Sequence, residues 1–518
     1  MSCAALCVEG ASVVFSSTVF MFAFLPTFLA IYFLLPWRSA KNVVLLIFSL
    51  IFYAWGEPIY VCLMIGSIIL NWAFAIGISK CASGGGRRFW LILSLTANLS
   101  TLGLFKYESF LSANVNLALG EVFLVDLQLA LPIGISFFTL QAISYVIDVY
   151  RGKVKAQRNI LYLGMYIAMF PQLVAGPIVR YADIEYEIDN RKVTLAGFAQ
   201  GIRLFTIGLG KKVLLANTAA ILANALLTQE ASAIGAIGCF SGILAYTFQI
   251  YFDFSGYSDM AIGLGKMMGF DYPRNFNYPY ISKSVTEFWR RWHMSLGSFF
   301  RDYVYIPLGG SRVSVPRWML NIMIVWGLTG IWHGAAWNFL LWGLYYGVLL
   351  MCEKLFMLKA LGRCPRPVQH AYCVVTFFFG WLLFSVTGLS NVGDWFLGMF
   401  GAYGWTGDST LWELQSWSYV SLLPVFIVGS VPLFPWARKR LEAWGAGLSS
   451  EDIVAAPEKG NDFVPPCMLR VADPVSRARG RVVAAVSILA DIGLLLVFVL
   501  SCISIVSGGY NPFIYFQF

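Results

Sequence analysis

Long apolar runs recur from residue 18 to residue 507, and they constrain the fold of this chain more than any other feature. A helix needs roughly 20 apolar residues to cross about 30 Å of hydrocarbon. Most of the runs reach or approach that length: 18–37, 42–55, 58–79, 89–105, 127–150, 159–179, 199–227, 233–252, 317–333, 335–357, 371–389, 418–435 and 483–507. The sequence therefore predicts an all-α, polytopic helical bundle of about 11–13 crossings, with short interfacial or re-entrant helices.

The composition supports one membrane domain over residues 1–518 rather than several soluble domains. Hydrophobic residues make up 58% of the chain, and the mean hydropathy is +0.71. The net charge of +9 is concentrated in loops, which favours contact with anionic lipid and gives no support to a nucleic-acid partner. Ten cysteines without a CxxC pair predict neither a zinc site nor a disulfide framework.

Basic residues cluster in alternate connections between the runs, at 38–41, 80–88 and 151–158. In membrane proteins the cytoplasmic loops carry the excess of Lys and Arg. We therefore expect these three connections in the cytoplasm and the N-terminus outside. Because no basic residue precedes the first run, we expect a retained helix there rather than a cleaved signal peptide.

Two regions and one short segment depart from the pattern of apolar runs. Residues 253–316 are too polar to face lipid, yet too aromatic for a solvated loop. Residues 436–482 have basic residues at both ends, which predicts a polar cytoplasmic loop with local disorder around 449–466. In "FPQLVAGPIVR" (170–180), Pro and Gly interrupt an apolar run, so this segment either lines the protein interior or is an ordinary kinked helix.

The stretch "TEFWRRWHMSLGSFFRD" (286–302) contains one of the three histidines of the chain. At 100° per residue, a helix over this stretch places the aromatic residues and His293 on one side and the charged residues on the other. Trp289 and Trp292 share the aromatic side with His293. Such an amphipathic helix lies along the membrane interface or covers a water-filled vestibule, with the imidazole pointing inward.

The opposite side of the same helix carries Arg290, Arg291 and Arg301. Glu287 and Arg291 have the spacing of an i,i+4 ion pair. Two interpretations remain open for the arginines: they form a solvated helix face, or they steer a phosphate-bearing substrate.

A second histidine lies in "NIMIVWGLTGIWHGAAWNFLLWG" (321–343), a segment without any charged residue. An ionisable group inside a span is costly, and the Gly and Ala residues beside His333 leave room for a ligand. This pattern favours a functional role, although an imidazole that bridges two helices for packing alone is an alternative. At helical spacing Trp337 lies on the side of His333. His370, at the start of a later run, is interpreted as interfacial.

Few kinds of chemistry suit two buried histidines in such a chain. The sequence has no HExxH, GxSxG, Walker or wet DxD motif, which argues against most hydrolases and nucleotide-dependent enzymes. Desolvation lowers the pKa of a histidine and keeps it neutral, as a general base requires. We therefore expect proton abstraction from an alcohol that attacks an activated thioester, without a bound metal or other cofactor.

Motifs along nearly the whole chain resemble the membrane-bound O-acyltransferase superfamily, and within it the branch of polysaccharide O-acetylation that includes the membrane subunit of alginate O-acetylation. The motifs that carry the resemblance are "VFSSTVFMFAFLP", "LPIGISFFTLQAISYVIDVYRG", "FPQLVAGPIVRY", "YFDFSGYSDMAIGLGKMMGF", "FNYPYISKSVTEFWRRWHMSLGSFFRDYVYIPLGGSR", "GIWHGAAWNFLLWG" and "YNPFIYFQF". "YIPLGG" favours this branch over the related D-alanyl transfer proteins of teichoic acid.

The resemblance implies that His333 is the catalytic histidine of the family and His293 the second histidine of the bacterial branch. It implies a tunnel through the bundle in the bacterial inner membrane. Acetyl groups from a cytosolic thioester, acetyl-CoA or an acyl carrier protein, then reach a polysaccharide outside, directly or through a partner protein.

Besides the two histidines, the residues expected along the substrate path are Trp289, Trp292, Trp332, Trp337, Asn338 and Asp253. Trp332 and Trp337 either shape the tunnel or are packing aromatics. Asp253 and Asp259 either orient a histidine or bind substrate hydroxyls, or they cap a broken helix.

Three other functions remain open from the sequence. The chain could transfer D-alanyl groups to teichoic acid. It could be a carrier or flippase for lipid-linked sugars, in which the buried histidines couple transport to protons. It could also be a membrane scaffold that recruits the true transferase.

Overall fold

A computed structural model describes residues 14–407, 421–445, 474–508 and 513 of the chain, with the backbone alone for 474–478. The described residues contain helices and no β-strand. The predicted all-α fold is therefore confirmed.

The first half of the chain forms the following α-helices: α1 Leu25–Leu34, α2 Arg38–Gly56, α3 Tyr60–Lys80, α4 Gly84–Leu119, α5 Ile135–Tyr150, α6 Ile160–Ala168, α7 Phe170–Leu173, α8 Tyr181–Asn190, α9 Leu195–Gly210, α10 Asn217–Leu227 and α11 Ala231–Met268. The second half forms α12 Val285–Arg291, α13 Met294–Phe300, α14 Val315–His333, α15 Trp337–Cys352, α16 Leu358–Leu361, α17 Arg366–Ser385, α18 Leu389–Met399, α19 Leu423–Ser430, α20 Leu433–Gly445 and α21 Pro474–Val506.

Eight helical segments in the described part of the chain are long and apolar enough to cross a membrane. This number is lower than the 11–13 crossings expected from apolar runs. The difference arises because some runs do not fold as one long helix. The run 159–179 is divided between α6 and α7, and the described part of the run 418–435 is divided between α19 and the start of α20.

Both regions predicted to be polar are partly helical. The start of the region 253–316 belongs to α11, which continues to Met268. The region 436–482 begins inside α20 and ends inside α21, so its two ends are helical rather than a loop. Its middle, including the predicted disorder at 449–466, lies outside the described residues.

Helices α9 and α11 pack backbone against backbone at the centre of the bundle. A Cβ atom on Gly208 would lie 2.5 Å from the carbonyl oxygen of Gly256, so no larger residue fits there without moving a helix. Small residues allow this close approach between membrane helices, where van der Waals contact replaces the hydrophobic effect.

Two ion pairs connect α11 to the π-helical segment Lys211–Ala216 that follows α9. Lys211 binds Asp259 at 2.7 Å, and the fully buried Lys212 binds Asp253 at 2.5 Å. Both aspartates lie inside α11 and not at a helix end. The interpretation of these aspartates as helix caps is therefore wrong.

The segment 170–180 lies in the interior of the bundle, as one of its two interpretations predicted. Helix α6 ends at Ala168, Met169 has the non-helical backbone φ −52°, ψ 111°, and residues 163–179 are all buried. The backbone N–H of Phe170 donates to Ser49 Oγ of α2 at 3.0 Å, which satisfies a donor that the helix break releases. Irregular backbone at membrane depth is tolerated where protein covers it in this way.

Candidate active site

The stretch 286–302 is not one helix, as predicted, but two short helices with a break between them. Helix α12 ends at Arg291, Trp292 is extended, and His293 has the left-handed backbone φ 45°, ψ 54°. A residue other than Gly rarely adopts this conformation. A single-helix pattern could not predict it, because the polar contacts that stabilise the break come from a distant loop.

The division into an aromatic and a charged side is nevertheless confirmed. Phe288, Trp292, His293 and Phe299 are buried, whereas Arg290 is exposed. The break changes the direction of the backbone without bringing the charged residues inside.

The arginines of the charged side have partners or face solvent. Glu287 binds Arg291 at 2.9 Å, as the spacing predicted. Asp302 binds both Arg180 and Arg301 at 2.7 Å. Burial acts to raise the pKa of Asp302, but the hydrogen bonds from the two arginines outweigh it and lower the pKa to about 2.

His293 is enclosed by aromatic rings and one amide. Its ring packs edge-on against Phe254, with 4.6 Å between centroids, and lies 6.1 Å from the ring of Trp332. Its Nδ1 is 3.0 Å from Oδ1 of Asn275. Burial lowers the pKa of His293 to about 3. The imidazole is therefore neutral at physiological pH.

His333 is the last residue of α14 and is 5% exposed. Its ring centroid lies 4.9 Å from those of Trp332 and Trp342 and 5.2 Å from that of Phe384. Since Trp332 also lies beside His293, the two histidines occupy one aromatic cluster around its indole. The structure thus brings together the two residues that the sequence singled out from separate motifs.

A cavity of about 50 Å³ reaches His333 and Trp332. It is bordered by Lys106 of α4, by the segment 131–137 that leads into α5, and by Val174 of the interior segment. A cavity of this size holds a few water molecules. The predicted tunnel would have to include this cavity, because His333 is one of the residues that line it.

Two side chains of α4 hold the C-terminal turn of α14, and the sequence analysis missed both. Lys106 Nζ donates to the carbonyl oxygens of Trp332 at 2.6 Å and His333 at 3.2 Å. Tyr107 OH donates to the carbonyl of Ile331 at 2.8 Å. The last carbonyls of a helix have no partner within it, so these donors fix the turn that carries His333. A lysine directly after the apolar run 89–105 was the available signal.

Of the residues expected along the substrate path, only His333 and Trp332 border this cavity; His293 and the others do not. Trp289 packs against Trp326, Trp342 and Tyr346, and Trp292 packs against Phe276, Phe288 and Trp381. Asn338 donates to the carbonyl of Leu383 at 3.4 Å, and Asp253 is paired with Lys212.

Trp337 does not share the side of His333, contrary to the helical-spacing prediction. Helix α14 ends at His333 and Gly334 is extended, so the periodicity does not continue to Trp337 at the start of α15. Trp337 is 50% exposed and donates to Asn114 Oδ1. His370 is half-buried on α17, with Nδ1 3.2 Å from the carbonyl oxygen of Ser282.

The profile of the membrane-bound O-acyltransferase family matches residues 86–393, more than half of the chain. Two relatives carry acetylation in their names. "Probable alginate O-acetylase AlgI" of Azotobacter vinelandii is 37% identical over 98% of this chain and 100% of its own length. A peptidoglycan O-acetyltransferase of Helicobacter pylori is 36% identical over 75% of this chain and 80% of its own length.

A teichoic acid D-alanyltransferase of Bacillus subtilis is similar over a smaller part of the chain. It is 32% identical over 43% of this chain and 59% of its own length. The family profile and the near-complete alignments agree with the helical membrane fold. The chain therefore belongs to the membrane-bound O-acyltransferase family and is an O-acyltransferase.

Proposed function

We propose that the chain is an O-acetyltransferase that modifies a cell-envelope polysaccharide outside the bacterial inner membrane. The acetyl group comes from a cytosolic thioester, acetyl-CoA or an acyl carrier protein, and reaches sugar hydroxyls directly or through an extracytoplasmic partner protein. The names of the relatives that align over most of the chain support a polysaccharide acceptor.

In the proposed reaction an acceptor hydroxyl attacks the carbonyl carbon of the thioester. The bond between the hydroxyl oxygen and this carbon forms while a neutral imidazole takes the hydroxyl proton. The tetrahedral adduct then expels the thiolate, which takes up the proton, and an ester and a thiol result. We assign the proton transfer to His333, with His293 as the second catalytic histidine; a general base of this kind contributes about 10²–10⁴ in rate.

The observation that carries this proposal is the packing of two buried imidazoles around Trp332 beside a cavity. Centroid distances of 4.9 Å and 6.1 Å place both rings against the same indole. Two buried imidazoles from different parts of the chain that pack around one indole, with His333 and that indole lining a cavity, are expected of an acid–base site and are unusual in a purely structural core.

Acetyl is proposed rather than D-alanyl because of the extent of the similarity. Relatives named for O-acetylation align with 75–98% of the chain, whereas the teichoic acid D-alanyltransferase of Bacillus subtilis aligns with 43%. Mass spectrometry of envelope polymers from cells with and without this chain identifies the acyl group and the polymer that carries it.

The catalytic role of His333 is tested with the purified full-length chain in lipid nanodiscs. Acetyl-CoA is the donor probe, de-O-acetylated envelope polymer is the acceptor, and released thiol is measured. We expect His333→Ala to lower the rate at least about 10²-fold. His370→Ala is the matched control, since this histidine contacts Ser282 away from the cavity, and we expect it to retain the wild-type rate.

Two results would contradict the proposal. If His333→Ala leaves polymer acetylation intact but stops polymer export, the chain is a carrier. If the purified wild-type chain consumes no acyl thioester although its fold is intact, the scaffold interpretation replaces the enzymatic one.

A further inference from the structure

The amide of Asn275 lies between His293 and the start of α13, and its orientation can be determined from its neighbours. The backbone N–H of Ser295 can only donate, and it lies 3.3 Å from one side-chain atom of Asn275. That atom must therefore be the carbonyl oxygen Oδ1. The other atom, Nδ2, then donates to Ser258 Oγ at 3.0 Å.

Further contacts agree with this orientation. The hydroxyl of Ser295 accepts the backbone N–H of Ile178 at 3.0 Å, so its own hydrogen is available for Oδ1 of Asn275 at 2.9 Å. The backbone N–H of Met294 donates to the carbonyl of Asn275 at 2.9 Å. Asn275 is completely buried, so no solvent competes for these hydrogen bonds.

The orientation of Asn275 determines the tautomer of His293. Because Oδ1 can only accept, Nδ1 of His293, at 3.0 Å, must carry the hydrogen. In the neutral ring Nε2 then has a lone pair and no hydrogen. Nε2 is buried, and it has no hydrogen-bond partner among the residues that the structure describes.

We infer that Asn275 is a positioning residue that fixes His293 in the Nδ1–H form and so presents Nε2 as an acceptor to a hydroxyl of the saccharide. This role rests on the proposed function, and it decides whether His293 polarises the thioester donor or positions the acceptor hydroxyl. A nitrogen without hydrogen cannot polarise the carbonyl of the thioester. It can accept a hydrogen bond from the acceptor sugar.

The backbone at His293 is consistent with this role. The left-handed conformation of a residue other than Gly costs on the order of 1 kcal/mol and persists only where surrounding contacts impose it. Here Asn275 binds the residues on the C-terminal side of His293 through Met294 and Ser295. The same amide therefore holds both the backbone turn and the imidazole.

The tautomer is tested directly by NMR on the full-length chain with ¹⁵N-labelled histidine in nanodiscs. The chain has only three histidines, so His293→Gln assigns the signals of residue 293. We expect a protonated Nδ1 and an unprotonated Nε2 in the wild-type protein. Signals of the Nε2–H tautomer would overturn the inference, whether or not the chain has acetyltransferase activity.

The consequence for catalysis is tested with Asn275→Leu, which removes the acceptor from Nδ1. We expect kcat/KM for the de-O-acetylated polymer to fall about 10²-fold, with KM for acetyl-CoA changed less than about twofold. Asn277→Leu is the matched control in the same loop, where the contact with Arg291 uses the backbone of Asn277. It should retain the wild-type constants.

Asn275→Asp keeps an acceptor oxygen toward Nδ1 and guards against a folding defect in Asn275→Leu. We expect it to keep the Nδ1–H signal and most of the activity that Asn275→Leu loses. An equal loss in both variants, with the Nε2–H tautomer in neither, would mean that Asn275 serves only the fold. If the wild-type chain shows the expected tautomer but no transfer, the proposed function fails and the structural assignment stands.

Discussion

The contact between Lys106 and the end of α14 predicts a large effect for a single substitution far away in sequence. Lys106→Met keeps the length and apolar part of the side chain but removes the ammonium group. The carbonyls of Trp332 and His333 then lose donors at 2.6 Å and 3.2 Å, and Ser136 Oγ loses one at 3.3 Å. We expect the turn that carries His333 to become mobile.

The free energy lost in Lys106→Met is the difference between two opposing contributions. Each hydrogen bond from a charged donor contributes about 1.5–3 kcal/mol. Removing the ammonium also removes its cost of burial, which amounts to several kcal/mol for a charge in a dry site. The net loss is then about 2 kcal/mol, and 1.4 kcal/mol corresponds to about a tenfold change in rate. If this interaction energy is what holds His333 in its catalytic position, kcat decreases roughly 10- to 30-fold.

The assay compares kcat of the purified variants, with acetyl-CoA as donor probe, and their thermal unfolding followed by tryptophan fluorescence. Tyr107→Phe is the matched control, because it removes one neutral hydrogen bond to the next carbonyl, that of Ile331. We expect less than about a threefold loss of kcat for it, consistent with about 1 kcal/mol or less at a solvent-accessible contact. Lys106→Met with wild-type kcat and wild-type Tm would refute the reasoning.

Three further substitutions test the site and its support. Trp332→Phe keeps an aromatic ring but removes part of the indole and its buried N–H, which has no acceptor among the described residues. If that N–H stabilises the oxyanion, kcat falls about 10²-fold, whereas the smaller ring lowers Tm only through the lost packing. Gly343→Ala places a methyl group 2.2 Å from the carbonyl oxygen of Trp326 in α14. We expect this overpacking to lower the free energy of unfolding by about 1–3 kcal/mol, and Tm with it. Gly327→Ala is the control and should be tolerated, because the nearest atom lies 4.0 Å away. Asp253→Ala destabilises the chain by about 3–5 kcal/mol because it leaves the charge of Lys212 without its carboxylate. If the double variant Asp253→Ala/Lys212→Met recovers activity, the pair is structural.

Much of the architecture could be predicted from the sequence because the bilayer limits the choices. Apolar runs predicted the helical membrane fold, and one of the two interpretations of the interruption at 170–180, an interior segment, agrees with the structure. The aromatic side of 286–302 is buried as predicted. Each of these features depends on hydrophobicity along a local stretch, which a helical projection represents well.

The breaks between helices could not be predicted in the same way. The projection assumed that 286–302 and 321–343 continue as helices, but the chain breaks at His293 and after His333. Trp337 was misplaced for this reason. The side chains that stabilise the breaks, Asn275 and Lys106, lie 18 and 227 residues from the histidines that they support, and local periodicity contains no information about them.

The position of both histidines at helix ends follows from what a catalytic group needs inside a membrane protein. In mid-helix the backbone groups are already paired, and only the side chain can be positioned by neighbours. At an end, free N–H and C=O groups can bind polar side chains from other helices, which fix the backbone and the imidazole together. Asn275 does this for the N–H groups that follow His293, and Lys106 for the carbonyls of the turn that ends at His333. Substitutions that continue α12 through His293, or α14 beyond His333, as a regular helix should therefore abolish acyl transfer. The membrane-spanning helices should remain folded.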